Sequence, residues 1–189
     1  MKKDIQISNI ASLPTRHGAF HIQAFKDGCQ EHLAVFTDPL PDIPMVRVHS
    51  ECVTGDVFGS QKCDCGSQLD ATLKMIAEHG GMVIYHRQEG RNIGLLNKVN
   101  AYALQDQGYD TVAANHQLGF QADERTYHAI EFILKHFGLK KIKLITNNPK
   151  KIESIKGVEI VERVPMITPP TKCNIDYLKV KKEQMGHML

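Results

Sequence analysis

MVRVHSECVTGDVFGSQKCDCGSQLDATLKMIAEHGGMVIYH, residues 45–86, decides how this chain folds. Met45 to His49 reads as a strand, and a polar stretch with three cysteines follows it. From Ser67 to His79 the apolar positions Leu69, Leu73, Ile76 and Ala77 recur at helical spacing, and Gly80 and Gly81 stop the pattern. Met82 to His86 (MVIYH) is then a short apolar strand. Strand, helix and strand in this order point to an α/β fold, in which ligand sites gather in loops at the carboxyl ends of strands.

The alternation continues outward. Leu95 to Gln107 reads as a helix ending at Gly108. Glu124 to Phe137 places Tyr127, Ile130, Ile133, Leu134 and Phe137 on one face and ends at Gly138. Lys141 to Thr146 is a strand, Pro149 suits the first turn of another helix, and Glu159 to Val164 is a last strand. Pro165, Pro169 and Pro170 make an irregular connection to a terminal helix over Tyr177 to Met188. Residues 1–44 differ: Ala19 to Phe25 alternates loosely, His32 to Thr37 is an apolar run, and DPLPDIP breaks the chain. The expected fold is therefore α/β, with a mixed or parallel sheet flanked by helices and a β-rich N-terminal segment. We expect one domain over residues 1–189, made of that segment (1–44) and a catalytic α/β portion (45–189).

Composition narrows the class. With 189 residues, 42% of them apolar and 23% charged, the chain is an ordinary globular protein with no fibrous or disordered character. Basic and acidic residues number 23 and 21, too balanced for a protein that coats nucleic acid. No apolar run approaches a membrane span, and MKKDIQISNI has two lysines without the apolar stretch of a secretory signal, so the expected location is cytoplasmic. Five cysteines in a reducing compartment point to metal or catalysis before disulfides.

Cys52, Cys63 and Cys65 form C-x10-C-x-C in a polar loop straight after a strand. Thiolates suit zinc, and the question is whether the site is closed by a fourth protein ligand or keeps a place for water. Cys29, Cys173 and His49 are the candidates for closing it; Cys29 and Cys173 are far away in sequence, and the spacing favours an open zinc with bound water. A second candidate is YHRQEGRNIG, residues 85–94, between an apolar strand and a helix, where backbone N–H groups and the helix dipole can bind an anion. Arg87 and Arg91 could clamp phosphates there with Glu89 between them, although a solvated turn accounts for the segment equally well. TNNPKK, residues 146–151, repeats this logic, and on its own reads better as a capped, solvated helix start.

Together RVHSEC, GSQKCDCGSQL, YHRQEGRNIGL, AYALQDQGYDT, NHQLGFQADER, LITNNPKK and the terminal MGHML resemble GTP cyclohydrolase II, the enzyme of the first committed step of riboflavin biosynthesis. The likeness is dense from Met45 to Pro165, looser before it, and broken at MITPPTKCN, residues 166–174. The resemblance implies that Cys52, Cys63 and Cys65 hold one catalytic Zn²⁺ per chain with water in the fourth place. It implies a GTP site lined by Arg47, Val48, His49, Ser50, Glu51, Gln68, Glu89, Gly90, Arg91, Thr111, Thr146 and Lys151. Asp123 and Arg125 match a proton acceptor and a nucleophile, and Tyr102 matches a tyrosine near the zinc. A homodimer is implied as well, with no nucleic-acid or membrane partner. At 189 residues there is no room for the dihydroxybutanone phosphate synthase domain fused to many bacterial relatives.

The implied reaction hydrolyses GTP to a diaminoribosylaminopyrimidinone phosphate, formate and pyrophosphate. Zinc lowers the pKa of its water from about 15.7 to about 7, which suits attack on the imidazole ring. Tyr102 would donate a proton to a leaving nitrogen, worth roughly 100-fold. Arg47, Arg91, Lys151 and Mg²⁺ would hold the phosphates, and Glu89 and Gln68 are candidates for reading the base. Arg125 would either attack the α-phosphorus, with Asp123 taking its proton, or stabilise charge there while Asp123 activates a water. Two rival readings are a zinc nucleotide deaminase, whose H-x-E and P-C-x-x-C signatures are absent, and a structural-zinc domain binding nucleic acid, which would want a fourth ligand and a basic face.

Overall fold

The computed structural model describes residues 5–183 and 186–188. The N-terminal part is an antiparallel meander of β1 (Gln6–Ile7), β2 (Ala11–Thr15), β3 (Gly18–Asp27) and β4 (Gln30–Phe36), built around the long β3. The strands β5 (Met45–Ser50), β6 (Gly81–His86), β7 (Lys141–Ile145) and β8 (Glu159–Val164) are parallel, in the spatial order β6-β5-β7-β8. An antiparallel pairing of β4 with β6 joins the halves into one mixed, eight-stranded sheet. The expected α/β architecture and β-rich N-terminal segment are both present.

Helices cover both faces. On one, Met82 and Ile84 of β6 and Val46 and Val48 of β5 pack with Ile130, Ile133 and Leu134 from α5 (His128–His136). On the other, Val83 packs with Ile76, Leu69 and Leu73 of α2 (Cys65–His79). Burial on both sides explains why MVIYH is continuously apolar rather than alternating. Each fully buried aliphatic chain contributes about 1.5–3 kcal/mol, so Ile133→Ala, which leaves a cavity under the sheet, would cost about 2–5 kcal/mol.

The remaining helices are α1 (Val53–Asp56), α3 (Gly94–Asp106), α4 (Thr111–Gln117), α6 (Pro149–Ser154) and α7 (Ile175–Glu183), with a 3-10 turn at Glu89–Asn92. Several boundaries depart from the sequence reading. α2 begins at Cys65, not Ser67, which puts the third cysteine in its first turn. α5 begins at His128, not Glu124, because tertiary bonds hold the preceding segment out of the helix. Glu124 N donates to Arg91 O at 3.1 Å, and Thr126 N donates to Gln88 Oε1 at 3.0 Å. The sequence reading omitted α4, although Asp110 caps it by accepting from Val112 N and Ala113 N, both at 2.8 Å. The terminal helix ends at Glu183: Gly186 has φ +67°, and Met188 N donates back to Asn147 O at 2.9 Å. Part of the expected helix (184–185), part of MGHML (185 and 189) and the first four residues of MKKDIQISNI lie outside the described residues.

β5 lies between β6 and β7; the chain leaving β5 runs to β6 on one side and the chain leaving β7 runs to β8 on the other, so the connections diverge at the carboxyl ends of β5 and β7. A crevice opens at such a point in a parallel sheet, and Ser50, His86 and Thr146 stand at its edge.

Candidate active site

The crevice is a cavity of about 570 Å³. The three cysteines meet at one end of it. Cys52 precedes α1, Cys63 lies in the following loop, and Cys65 opens α2. Their sulfurs all lie within 4.8 Å of one another, with Cys52 Sγ and Cys63 Sγ 3.6 Å apart. Two glycines permit this approach. A Cβ on Gly55 would sit 2.9 Å from Cys63 Sγ and 3.2 Å from Cys52 Sγ, and one on Gly66 would sit 2.4 Å from Gly55 O. Hydrogen bonds from the Cys63 and Cys65 thiols, with Lys98 nearby, pull the Cys52 thiol down. Hydrogen bonding to Cys52, then burial, push Cys63 up to about 11, and hydrogen bonding to Cys52 and Cys63, then burial, hold Cys65 well above its ordinary value.

Three convergent thiol sulfurs fit zinc as a donor set. Among the described residues no fourth His, Cys, Asp or Glu joins the cluster. His49, a candidate fourth ligand, is engaged elsewhere: its Nε2 lies 3.1 Å from both Asp56 oxygens. Asp56 also accepts from Cys52 N at 3.0 Å and from Tyr85 OH at 2.7 Å, so it organises the loop that presents Cys52. Cys29 is exposed on the β3–β4 turn, and Cys173 lines the cavity without joining the trio.

The opposite wall is cationic. Arg47 is buried, donates to Ile145 O at 3.2 Å and to Gln68 Oε1, and burial lowers its guanidinium to about 10. Lys151, the third residue of the helix capped by Asn148, is buried rather than solvated and donates to Val48 O at 2.7 Å. Burial, then repulsion from Arg125, Arg47 and Lys181, holds its ammonium well below the usual lysine range. Arg91 donates to Ala122 O at 3.2 Å and sits with Gly90 and Asn92 in a left-handed run, with φ 60°, 61° and 76° respectively. Two of those three are not glycine, and such strain collects at functional sites. Cations crowded together without matching anions favour a polyanionic ligand.

Arg125 lies on the irregular segment before α5. Its Nε donates to Asp123 Oδ1 at 2.8 Å and its Nη2 to Asp123 Oδ2 at 2.5 Å, while Nη1 donates to Ser50 Oγ at 2.9 Å. Burial opposes both charges, yet the fork outweighs it: the Asp123 carboxyl is held below its ordinary value and the Arg125 guanidinium above. Tyr102, from α3, reaches toward the thiols, with its hydroxyl 3.2 Å from Thr54 Oγ1, which is 3.6 Å from Cys52 Sγ. Burial raises its phenol.

Nearly every residue singled out from sequence lines this one cavity. The exceptions are Cys29; Val48, which offers its carbonyl to Lys151; Asp123, which stands behind Arg125; and Arg87, which lies outside the cavity and donates to Glu51 Oε1 at 3.1 Å. Gln68 and Glu89 line it with their polar atoms already engaged. Gln68 holds Arg47 and Asp64, and Glu89 holds Lys98, Val53 N and Gly90 N. Sequence reasoning missed Lys98, Asn147, Tyr177, Lys181 and His187, which also line the wall. Lys98 and Lys181 read locally as solvated helix lysines, and only the packing turns them inward.

A thiol trio that could hold a metal, facing a cationic pocket at the switch point of a mixed sheet, defines an α/β protein with a candidate metal site beside a pocket suited to an anionic small molecule. Residues 6–165 match the GTP cyclohydrolase II family. A protein of Campylobacter fetus called GTP cyclohydrolase-2 is 63% identical over 186 residues, covering 96% of this chain and 95% of its own. Proteins of the same name are 56% identical in Campylobacter hominis (98% and 96% covered) and 53% identical in Helicobacter pylori strain Shi470 (99% and 100% covered). The chain belongs to the GTP cyclohydrolase II family. In fold it is similar to RibBX, a two-domain 3,4-dihydroxy-2-butanone 4-phosphate synthase of A. baumannii, with a TM-score of 0.50 and 18% identity. That match covers 89% of this chain and 41% of the larger protein.

Proposed function

We propose that the chain hydrolyses GTP with loss of formate and pyrophosphate, as one unit, in riboflavin biosynthesis. The observation that carries this is the meeting, in one cavity, of the thiol trio with Arg47, Arg91, Arg125 and Lys151. Cys52, Cys63 and Cys65 would hold one zinc, which supplies hydroxide at neutral pH for attack on the purine ring.

The chain's own groups divide the remaining work. Tyr102, its phenol kept protonated by burial, donates to the nitrogen that leaves as the ring opens. Arg47, Arg91 and Lys151 hold the triphosphate together with Mg²⁺, and Thr111 and Thr146 bound the site. At the α-phosphorus Arg125 and Asp123 act as a pair. As a guanidino nitrogen forms its bond to phosphorus, the bond to the pyrophosphate oxygen breaks and a proton passes to Asp123, which already accepts from Nε and Nη2. Water then cleaves the phosphorus–nitrogen bond. His49, Ser50 and Glu51 support this corner; Ser50 Oγ fixes the third guanidino nitrogen.

We infer a homodimer as well, since Val57, Phe58, Leu96 and Val99 expose large apolar surfaces. No described helix is long and apolar enough to cross a membrane, which accords with a cytoplasmic enzyme. One reaction mixture tests the function: GTP, Mg²⁺ and protein, with and without a zinc chelator, followed for formate and pyrophosphate. Both products are expected without chelator, and formate should disappear with it. Release of ammonia instead would mean a deaminase and end this reading.

A further inference from the structure

Lys98 is the cation of the site that the ligand-holding residues above do not explain. It lies on α3 with its side chain buried. Its Nζ is 3.1 Å from Cys52 Sγ and 2.7 Å from Glu89 Oε1. Glu89 is fixed in turn: Oε1 also accepts from Gly90 N at 2.9 Å, and Oε2 accepts from Val53 N at 2.7 Å. Val53 follows Cys52 directly. The carboxylate therefore ties together the turn after β6, the residue beside the first thiol, and the lysine that touches that thiol.

We propose that Lys98, clamped by Glu89, is a positioning residue for the metal site, hydrogen-bonding the Cys52 sulfur and offsetting the negative charge that three thiolates place around a divalent ion. This rests on the reading of the thiol trio as a zinc site. Three thiolates and one Zn²⁺ carry a net charge of minus one in a half-buried corner, and an ammonium in contact with one sulfur lowers the cost of gathering that charge. Glu89 keeps its own negative charge, steadied by two backbone N–H groups, so what Lys98 supplies is local: the ammonium N–H that lies on the Cys52 sulfur. An N–H donor also withdraws electron density from the sulfur and so makes the metal a stronger acid; partners that touch ligands in this way govern metal affinity.

The test uses the full chain and zinc itself. Zinc affinity is measured by competition with a chromophoric chelator for wild type, Lys98→Met and Lys98→Arg. Lys98→Met is expected to lose about 10–100-fold, and Lys98→Arg, which keeps charge and donor, to lose less. With cobalt in place of zinc, the thiolate-to-metal charge-transfer band of Lys98→Met should move to longer wavelength, because a sulfur without its donor holds its electrons less tightly. A purely structural lysine would leave that band in place. If Lys98→Met fails to fold, Lys98→Gln keeps a partner for Glu89 and a neutral donor, and should fall between the other two in affinity and band position. A folded variant with unchanged affinity and band overturns the role of Lys98 alone. If the wild type binds no zinc, the metal reading falls, and this inference with it.

Discussion

Lys181 Nζ, on α7, lies 2.8 Å from Asp64 Oδ1, and Asp64 is the single residue between Cys63 and Cys65. The C-terminal helix is thereby pinned to the thiol loop across 117 residues of sequence. Asp64 Oδ2 also accepts from Gln68 Nε2 at 2.5 Å, and Gln68 holds Arg47, so one carboxylate links helix, thiols and phosphate wall. Lys181→Met leaves a buried carboxylate with half its partners, and we expect a loss of up to about 3 kcal/mol in urea unfolding. Amide exchange in α7 should rise at the same time. Unchanged exchange there would show that the helix is held by other contacts.

Gly55→Ala places a methyl group against two thiols at distances where something must move. The loop backbone on the other side is tied to Asp56, so the sulfurs should give way. Zinc content after dialysis is expected to fall to a small fraction of wild type, with the far-UV spectrum retained because the sheet core lies elsewhere. Full zinc occupancy would refute the close packing of Gly55 on the trio.

Arg125→Lys keeps a positive charge but loses the planar fork that engages both Asp123 oxygens and Ser50. Pyrophosphate release should drop by at least about 100-fold, as when a donor placed for the transition state is removed. Rapid quenching with α-labelled GTP should trap label on wild type and none on Arg125→Ala. Substantial activity in the lysine variant would leave Arg125 as a charge clamp only.

Lys151 predicts proton uptake on binding. Its ammonium is depressed first by burial and then by Arg125, Arg47 and Lys181, and a triphosphate among them reverses the repulsion and raises its pKa. Calorimetry of a non-hydrolysable GTP analogue at pH 7.5, in buffers of different ionisation enthalpy, should report net uptake. The uptake should vanish in Lys151→Met. Net proton release by wild type would contradict the assignment.

His86 sets a pH limit on stability. Burial, and then the charges of His32, Lys151, Arg125 and His128, lower its imidazole from an ordinary value of 6.5 to about 2; the Tyr127 ring lies tilted beside it. An unfolded chain takes up the proton near pH 6.5, whereas the folded one does not until far lower. Stability from this group is thus complete above pH 6.5 and declines as pH falls, by up to about 1.4 kcal/mol per pH unit. His32 and His49, also depressed by burial, add to the slope. Urea midpoints between pH 7.5 and 5 should fall steeply, and less so in His86→Leu; equal slopes would exclude His86 as a contributor.

Periodicity and punctuation determined the strand and helix order from Met45 to Val164, because burial on both faces of β6 and on one face each of α2 and α5 demands apolar residues at fixed spacings. C-x10-C-x-C likewise declared itself, since thiols so placed in a polar loop have few other uses. Other features depended on contacts between residues far apart in sequence. Glu124 to Tyr127 carries a helical pattern but is held out of the helix by Arg91 and Gln88. Lys151 resembles a solvated residue after its helix cap, yet the carbonyl of Val48 draws it inside. Lys98 and Lys181 are ordinary lysines in sequence, and become parts of the site only when the sheet brings Cys52 and Asp64 within reach of α3 and α7. Local sequence sets which backbone conformations are cheap. Which charges are buried, and against whom, is decided only when distant segments share the crevice beside β5.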